Sequence, residues 1–275
     1  MAKSYIPKII HFCWFNPTPG APYPDLVYKC ISSWKQMLPD YTIMEWNAEN
    51  SNLGACNYVK EAFEAKKYAF VSDYVRLDVL NQYGGIYLDT DVLVLRSFDP
   101  LLSDQAFAGL ETSSSIGTCV IGSQAGNPLI QQMLEDYNKR HFLLPNGSFD
   151  TTPNPTLLTQ LCRQRGLQFQ NQEQMLKDIH IYPMTYFCPF HPYRKEGEDF
   201  SDHTYSNHLF NGTWIDPETK QAMLYTQKYK HVLGEHLGGH LGAFLYRIQH
   251  NGVLKTLQTY HNKLQHSIAK KRQCR

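Results

Sequence analysis

The chain has 275 residues and a formal net charge of +1, with 42% hydrophobic and 19% charged residues. This size suits one large globular domain, or one domain with an appendage. The near-neutral charge argues against a dedicated nucleic-acid binder. No run approaches the ~18 apolar residues of a membrane span, and no secretory signal is visible. The seven cysteines are scattered without a C-x-x-C pair. This predicts reduced core thiols in a cytosolic protein, neither a disulfide framework nor a zinc site.

Strand-like and helix-like stretches alternate along the chain, which predicts an α/β sheet with helices on its faces. The predicted strands are 6–15, 41–46, 86–95, 107–110, 118–121 and 179–182. The predicted helices are 26–37, 57–67, 70–82, 128–140 and 156–165. Because ligands bind at the carboxyl ends of the strands in such sheets, functional residues are expected there.

The stretch 68–99 carries the most informative polar residues. Asp73 and Arg76 stand three apart in a helical pattern, so they share one helix face and can form an ion pair. Asp89 and Asp91 are separated by one residue in an apolar strand pattern, so their side chains are expected on one face at the strand end. Two such carboxylates repel unless a cation lies between them, and oxygen ligands select hard cations such as Mg²⁺ or Mn²⁺. A cation held this way would bind a diphosphate, although Asp pairs at this spacing also occur as turn formers in loops.

The C-terminal stretch 236–275 differs from the rest, because it contains basic but no acidic residues. Its apolar residues recur at roughly helical spacing, which predicts a basic amphipathic helical extension. We therefore predict a catalytic domain at 1–235 and this extension at 236–275. The extension is either a helix packed on the domain with a solvated charged face, or a segment that docks on an anionic membrane surface. Its basic residues are Arg247, Lys255, Lys263, Lys270, Lys271, Arg272 and Arg275.

Several motifs together resemble those of a known family. The central motif S-D-x-x-R-x-x-x-L-x-x-x-G-G-x-Y-x-D-x-D spans Ser72 to Asp91. It resembles the sugar-transferase family with the DxD signature, which includes bacterial capsular-polysaccharide glycosyltransferases and fungal Golgi mannosyltransferases and is related to the large clostridial glucosylating toxins. The opening IPKIIHFCW, Ile6–Trp14, is similar to the family's first strand, and IYPMTYFCP at 181–189 also fits. TYSNHLFNGTW at 204–214 resembles its late His-containing motif, so the resemblance covers about residues 6–214.

This resemblance implies a GT-A-like, Rossmann-type nucleotide-sugar-binding fold. It implies a metal-dependent, retaining glycosyltransferase that moves a hexose or N-acetylhexosamine from a UDP-sugar donor to a saccharide or lipid-linked saccharide acceptor. The implied context is polysaccharide biosynthesis, such as that of a bacterial capsule. Fungal Golgi members carry a membrane anchor, and because none is visible here, we expect a bacterial-type cytoplasmic enzyme, with the inner membrane face as a candidate docking surface.

The resemblance also assigns roles to residues of the central motif. Asp91 is implied as the direct ligand of Mn²⁺ or Mg²⁺, with Asp89 contacting the donor ribose and the metal through water. His208 is the implied third residue of the metal site. Asp73 and Arg76 are implied to bind hydroxyls of the donor sugar, with Ser72 and Tyr87 beside them.

Residues outside the central motif complete the implied donor site. Trp14 matches the ring that stacks on uracil, although it could equally be a core tryptophan. Asn211, Thr213 and Trp214 can donate hydrogen bonds to phosphate oxygens. The sequence departs from the family in two places, with Thr213 for the usual Ser and Leu209 where many members have a second His. We assign no role to His11 and name no residue as the general base. Glu111 is a candidate on the acceptor side.

Two other functions are compatible with a D-x-D at a strand end. An aspartyl-phosphate-type phosphotransferase would have its nucleophilic Asp near the first strand and acidic ligands late in the chain, whereas here the pair lies at 89–91 and the late motif contains His and Trp. A non-catalytic sugar-nucleotide-binding relative would bind metal without turnover. Retention of both Asp89 and Asp91 argues against that second alternative.

Overall fold

The structure is a computed structural model that describes residues 5–16, 18, 20–190, 200–212, 221–223, 225, 226, 228, 229, 233 and 235–258. The chain divides into two compact units, Met1–Asn211 and Gly212–Arg275. Thr213, Trp214 and the basic residues beyond 258 lie outside the described residues, as does part of the stretch between 221 and 234. The predicted division after residue 235 stays a prediction.

The first unit is built on a mixed sheet, which confirms the predicted α/β class. The strands follow the order β2-β1-β3-β7-β5-β9-β8, with β6 paired to β5. β1 is parallel to both β2 and β3, whereas β7 is antiparallel to its neighbours β3 and β5. The strands are β1 Ile9–Cys13, β2 Thr42–Trp46, β3 Gly85–Leu88, β4 Val92–Val94, β5 Ala106–Thr112, β6 Ser115–Ile116, β7 Val120–Ser123, β8 Gln174–Met175, β9 His180–Tyr182 and β10 Ser206–His208.

Helices cover both faces of this sheet. Side chains alternate across a strand, and in β3 the buried Ile86 and Leu88 join one apolar cluster while Tyr87 joins the other. The helices of this unit are α1 Asp25–Met37, α2 Asn57–Glu64, α3 Tyr68–Tyr83, α4 Pro128–Asn138, α5 Asn154–Gln164 and α6 Met184–Phe187. The second unit contains α7 Glu235–Asn251. The short strands β6, β8 and β10 and the helix α6 were not predicted from the sequence. Among the described helices, none is both long and apolar enough to cross a membrane.

The double glycine joins the buried helix α3 to the central strand β3 without a connecting loop. Gly84 and Gly85 have φ values of +64° and +115°, which side chains with a Cβ rarely adopt. A Cβ on Gly85 would lie 2.7 Å from the carbonyl oxygen of Ile9 and 2.8 Å from Nε2 of His11. Gly85 is therefore required by the close approach of the turn to β1, whereas a Cβ on Gly84 would lie 2.8 Å from the backbone nitrogen of Ala125.

His11 is a structural residue of this turn. Its Nδ1 accepts a hydrogen bond from the indole N–H of Trp46 at 3.0 Å, and its Nε2 lies 2.8 Å from the carbonyl oxygen of Gly84. Since Nδ1 is the acceptor, Nε2 carries the proton and donates it to Gly84. Burial lowers the pKa of His11 below its ordinary value, which keeps the ring neutral.

The predicted strand 86–95 is wrong in one respect that matters for the site. It is two strands, β3 and β4, separated by a turn that contains Asp89 and Asp91. The backbone N–H of Val92 donates to the carbonyl oxygen of Asp89 at 3.0 Å, which reverses the local chain direction. After the turn, β4 leaves the main sheet and pairs antiparallel with β10. The two aspartates are therefore close together because they lie in one turn, and not because side chains alternate along a strand.

Candidate active site

Pairing of β4 with β10 brings the late motif to the aspartate turn. His208 lies opposite Val92 in this pairing, and its Nε2 is 3.3 Å from Oδ1 of Asp91. The backbone N–H of Asn211 donates to Oδ2 of Asp91 at 2.8 Å. The N–H of Leu209 donates to the carbonyl oxygen of the same aspartate at 3.0 Å. Asp91 is thus held by the segment 208–211 through both its side chain and its backbone.

The three residues predicted as metal ligands do come together. The ligand atoms, one from each of Asp89, Asp91 and His208, lie within 4.8 Å of one another. Two carboxylates and one imidazole form a mixed oxygen and nitrogen donor set, which suits Mn²⁺ and is compatible with Mg²⁺. These residues therefore fit a divalent cation.

Electrostatics distinguish the two aspartates. Burial alone would raise the pKa of Asp91, but hydrogen bonds from His208 and from the N–H of Asn211 lower it below its ordinary value. Burial raises the pKa of Asp89, and the neighbouring Asp91 adds to that rise although Arg76 opposes it. Like charges at this distance are unfavourable without a compensating cation. Binding of a cation would relieve this repulsion.

Arg76 lies behind the aspartate turn, with an exposed fraction of 5%. Its Nη2 forms ion pairs with Asp73 at 3.1 Å and with Asp89 at 3.2 Å. Its Nη1 donates to the carbonyl oxygen and the hydroxyl of Thr118 at 2.8 and 3.2 Å, and its Nε donates to the carbonyl oxygen of Ser72 at 3.3 Å. The guanidinium carries its five N–H donors on three nitrogens, and each of the three has a protein partner. Arg76 therefore holds Asp73 and Asp89 in place in this arrangement.

Asp73 is the most deeply buried carboxylate of the site, with an exposed fraction of 7%. Its Oδ2 accepts a hydrogen bond from the backbone N–H of Asn154 at 3.3 Å, and the Asn154 side chain donates to the Asp73 carbonyl oxygen at 2.8 Å. Burial raises the pKa of Asp73 to about 6, against the opposing charge of Arg76. Asn154 was not predicted as a site residue, because the Pro-Asn-Pro turn around it indicated only the start of a helix.

The other predicted donor-site residues lie at the same edge of the sheet. β1 and β3 are parallel, with His11 opposite Tyr87, so Trp14 follows β1 where the aspartate turn follows β3. Tyr87 is buried, with the Arg76 guanidinium 4.4 Å from its ring centroid. The Ser72 hydroxyl donates to the carbonyl oxygen of Tyr68 at 3.1 Å.

Trp14 is half-buried and packs edge-on against Tyr23, with ring centroids 5.3 Å apart. Its indole N–H is buried without a hydrogen-bond partner among the residues that the structure describes. An unpaired buried N–H is costly, so a ligand that accepted this hydrogen bond would bind favourably. Thr213 and Trp214 fall outside the described residues, and their predicted phosphate contacts stay predictions.

A cavity of about 810 Å³ lies between β6 and α5. Two links connect its walls to the aspartate site. β6 leads into Thr118, which accepts hydrogen bonds from Arg76, and α5 begins at Asn154, which bonds to Asp73. The cavity is lined by Ser114, Ser115, Pro155, Thr156, Thr159, Gln160, Arg163 and Gln164.

The D-x-D turn and the late histidine at this edge of the sheet are the residues on which the resemblance to sugar transferases rests. Residues 24–108 match the family described as "Glycosyltransferase sugar-binding region containing DXD motif". This match agrees with the resemblance to DxD sugar transferases inferred from the motifs.

Individual relatives cover larger parts of the chain. It is 32% identical over 135 residues to inositol phosphoceramide mannosyltransferase 3 of Schizosaccharomyces pombe, which covers 48% of this chain and 37% of that protein. It is 21% identical over 197 residues to alpha-1,4-N-acetylglucosaminyltransferase of Homo sapiens, covering 68% of this chain and 53% of that protein. Among solved structures it resembles the PaToxG glycosyltransferase with a TM-score of 0.44 and 18% identity, over 58% of this chain and 68% of that one. The chain spans about two fifths of the length of the fungal relatives that it matches.

Proposed function

We propose that this protein transfers a hexose or N-acetylhexosamine from a nucleotide diphosphate sugar, with UDP as the nucleotide, to a saccharide or lipid-linked saccharide. The observation that carries this proposal is the convergence of Asp89, Asp91 and His208 within 4.8 Å. The family match over residues 24–108 supports a sugar substrate. Relatives named as a mannosyltransferase and an N-acetylglucosaminyltransferase support both sugar classes.

In this proposal Asp89, Asp91 and His208 would hold a divalent cation, Mn²⁺ or Mg²⁺. Such a cation, when bound, supplies Lewis-acid neutralisation of the diphosphate leaving group. The chain itself prepares the site, because the Asn211 N–H and the His208 ring orient the Asp91 carboxylate. Arg76 in turn fixes Asp89.

The donor would lie along the carboxyl edge of β1 and β3. Trp14 offers a ring and an unpartnered buried N–H for the nucleobase, and Asn211, Thr213 and Trp214 would contact the phosphates. Oδ2 of Asp73 accepts a long hydrogen bond from the Asn154 N–H, at 3.3 Å, and it can also accept one from a sugar hydroxyl. Arg76 acts here as a positioning residue, since a direct bond to the sugar would require it to give up one of its protein partners.

The acceptor would enter through the cavity between β6 and α5. Its Ser, Thr, Gln and Arg side chains present the hydroxyl, amide and cationic groups that recognise polar saccharides. Glu111 lies at the end of β5, next to Gly117, and remains the acceptor-side candidate. A retaining outcome rests on the family resemblance alone.

The cellular setting is a further part of the proposal. We infer a role in polysaccharide biosynthesis, with bacterial capsule assembly and the cytoplasmic face of the inner membrane as the predicted setting. The matched relatives come from fungi, a plant, a human and a bacterium, so they favour no single pathway.

A screen of nucleotide sugars with Mn²⁺ present tests the proposal. We expect one donor to be hydrolysed or transferred by the wild-type protein and not by Asp91→Asn. Binding of a nucleotide sugar without turnover of any donor would instead support the non-catalytic relative. Incorporation of phosphate into the protein would support the aspartyl-phosphate alternative.

A further inference from the structure

Two cysteines that are far apart in the sequence meet behind the aspartate site. Sγ of Cys119 lies 3.6 Å from Sγ of Cys188, and both side chains are buried. The backbone ties the pair to the site, because the N–H of Asp89 donates to the carbonyl oxygen of Cys119 at 2.9 Å. On the other side, the hydroxyl of Ser206 in β10 donates to the carbonyl oxygen of Phe187 at 3.3 Å.

The imidazole of His208 completes a group of three ligands. One of its nitrogens lies within 4.8 Å of both sulfur atoms, and the two sulfur atoms also lie within 4.8 Å of each other. Nε2 faces Asp91 at 3.3 Å, whereas Nδ1 is buried, and the ring also interacts with the thiol of Cys119. Nδ1 is therefore the nitrogen available to the two thiols.

The spacing of the sulfurs matches a shared metal ion. Two thiolates on a tetrahedral zinc, each with a Zn–S bond of about 2.3 Å, stand about 3.8 Å apart. A disulfide would require about 2.0 Å, so the 3.6 Å between the sulfurs of Cys119 and Cys188 excludes a bond between them. Sulfur ligands select soft or borderline ions such as Zn²⁺, in contrast to the oxygen-rich pair formed by Asp89 and Asp91.

We propose that Cys119, Cys188 and Nδ1 of His208 form a second metal site, specific for Zn²⁺ and distinct from the hard-cation site. On binding, each thiol loses its proton to solvent and two Zn–S bonds form, while Nδ1 supplies a lone pair. Three protein ligands leave one position for water. The sequence predicted no zinc site, because Cys119 and Cys188 are separated by 69 positions.

Sharing of His208 makes the two metal sites antagonistic, a consequence that rests on the proposed function. When Nδ1 binds zinc, Nε2 carries the ring proton and donates it to Asp91. That nitrogen is then unavailable to a cation held by Asp89 and Asp91. Zn²⁺ at the thiols should therefore weaken binding of Mn²⁺ and slow sugar transfer.

Titration of the metal-free protein with Co²⁺, a spectroscopic substitute for Zn²⁺, tests the site without any sugar donor. We expect one equivalent to produce a thiolate-to-cobalt charge-transfer band and the visible absorption of a tetrahedral ion, both abolished by excess Zn²⁺. Cys119→Ser and Cys188→Ser should lower the Zn²⁺ affinity at least a hundredfold. The matched control is Cys30→Ser, a buried thiol in the same apolar cluster, and it should bind Zn²⁺ like the wild type.

Cadmium NMR of the wild-type protein gives the same information if the variants fail to fold, because the chemical shift of the metal reports the number of thiolate ligands. Cobalt without a thiolate band, a cadmium shift typical of oxygen ligands, or unchanged affinity in Cys119→Ser would each overturn the proposal. Asp91→Asn separates this result from the proposed function, since it should lose transfer and keep the cobalt–thiolate band. Zinc that binds the thiols without weakening Mn²⁺ binding would overturn the sharing of His208.

Discussion

Replacing Arg76 by Ala removes the cation that lies between the buried Asp73 and the half-buried Asp89. The side chain forms ion pairs with Asp73 and Asp89 at 3.1 and 3.2 Å. Its exposed fraction is 5%, so solvent screens these pairs weakly. Removal of one partner from a buried ion pair costs about 3–5 kcal/mol, because the remaining charge stays desolvated. We expect Arg76→Ala to lower the free energy of unfolding by an amount in this range at pH 8.

The loss should depend on pH in a defined direction. Burial already raises the pKa of Asp73 to about 6 from 3.8, and loss of the Arg76 charge raises it further. A carboxyl with a raised pKa in the folded state stabilises the fold below its unfolded pKa, and this stability is lost as the pH rises. Above pH 4, the free energy of unfolding falls by about 1.4 kcal/mol per pH unit for each carboxyl that is protonated in the folded variant and ionised in the unfolded chain. Arg76→Ala should therefore be less destabilised at pH 5 than at pH 8.

Urea unfolding followed by circular dichroism at pH 5 and pH 8 measures both effects. Arg96→Ala is the control, because the ion pair of Arg96 with Asp202 at 3.7 Å is exposed, and such pairs contribute little. We expect no measurable change in that control. A loss below about 1 kcal/mol at pH 8, or the same loss at both pH values, would refute the reasoning about the buried charges.

Further predictions concern the metal, the donor sugar, the glycine turn and the C-terminal extension. Asp91→Asn or EDTA should lower transfer about a thousandfold, roughly 4 kcal/mol of transition-state stabilisation, with recovery of the EDTA-treated enzyme in Mn²⁺; full activity in EDTA would contradict this. Asp73→Ala should keep affinity for free UDP within a few fold in calorimetry and cripple transfer, whereas loss of UDP binding would rule out a sugar-specific role. Gly85→Ala should destabilise the fold by at least about 2 kcal/mol in urea, because its Cβ would overlap Ile9 at a φ of +115°. Gly54→Ala is the control, since its Cβ would lie 4.0 Å from the Asn52 side chain, an ordinary contact, and equal effects would contradict the steric argument. The protein should co-sediment with anionic liposomes at low salt and less at high salt. Replacement of four basic residues by Gln should release the protein from the liposomes without loss of donor hydrolysis; the four are Lys263, Lys270, Lys271 and Arg272. A wild-type protein that does not bind liposomes at any salt concentration would exclude membrane docking.

The sequence by itself determined the elements and their class, because apolar periodicity and breakers act locally. The alternation of strands and helices, the end of α3 at Gly84 and the helical pairing of Asp73 with Arg76 are confirmed. Each of these depends on residues within one or two turns of the chain. The central motif likewise carries the resemblance to the DxD glycosyltransferases within a single continuous stretch, inside the matched region 24–108.

Only the tertiary structure decided how the site is assembled. The aspartates lie in a turn because β4 pairs with β10, more than a hundred residues later, and no local pattern around Asp89 encodes that pairing. The same pairing brings His208 to Asp91.

The contacts of the buried polar groups also depend on the packing of distant segments. Arg76 bonds to Thr118 and Asp89, and Cys119 meets Cys188, because separate elements bury these groups against one another. A buried polar group takes the partner that the fold brings within reach, and sequence spacing does not specify that partner.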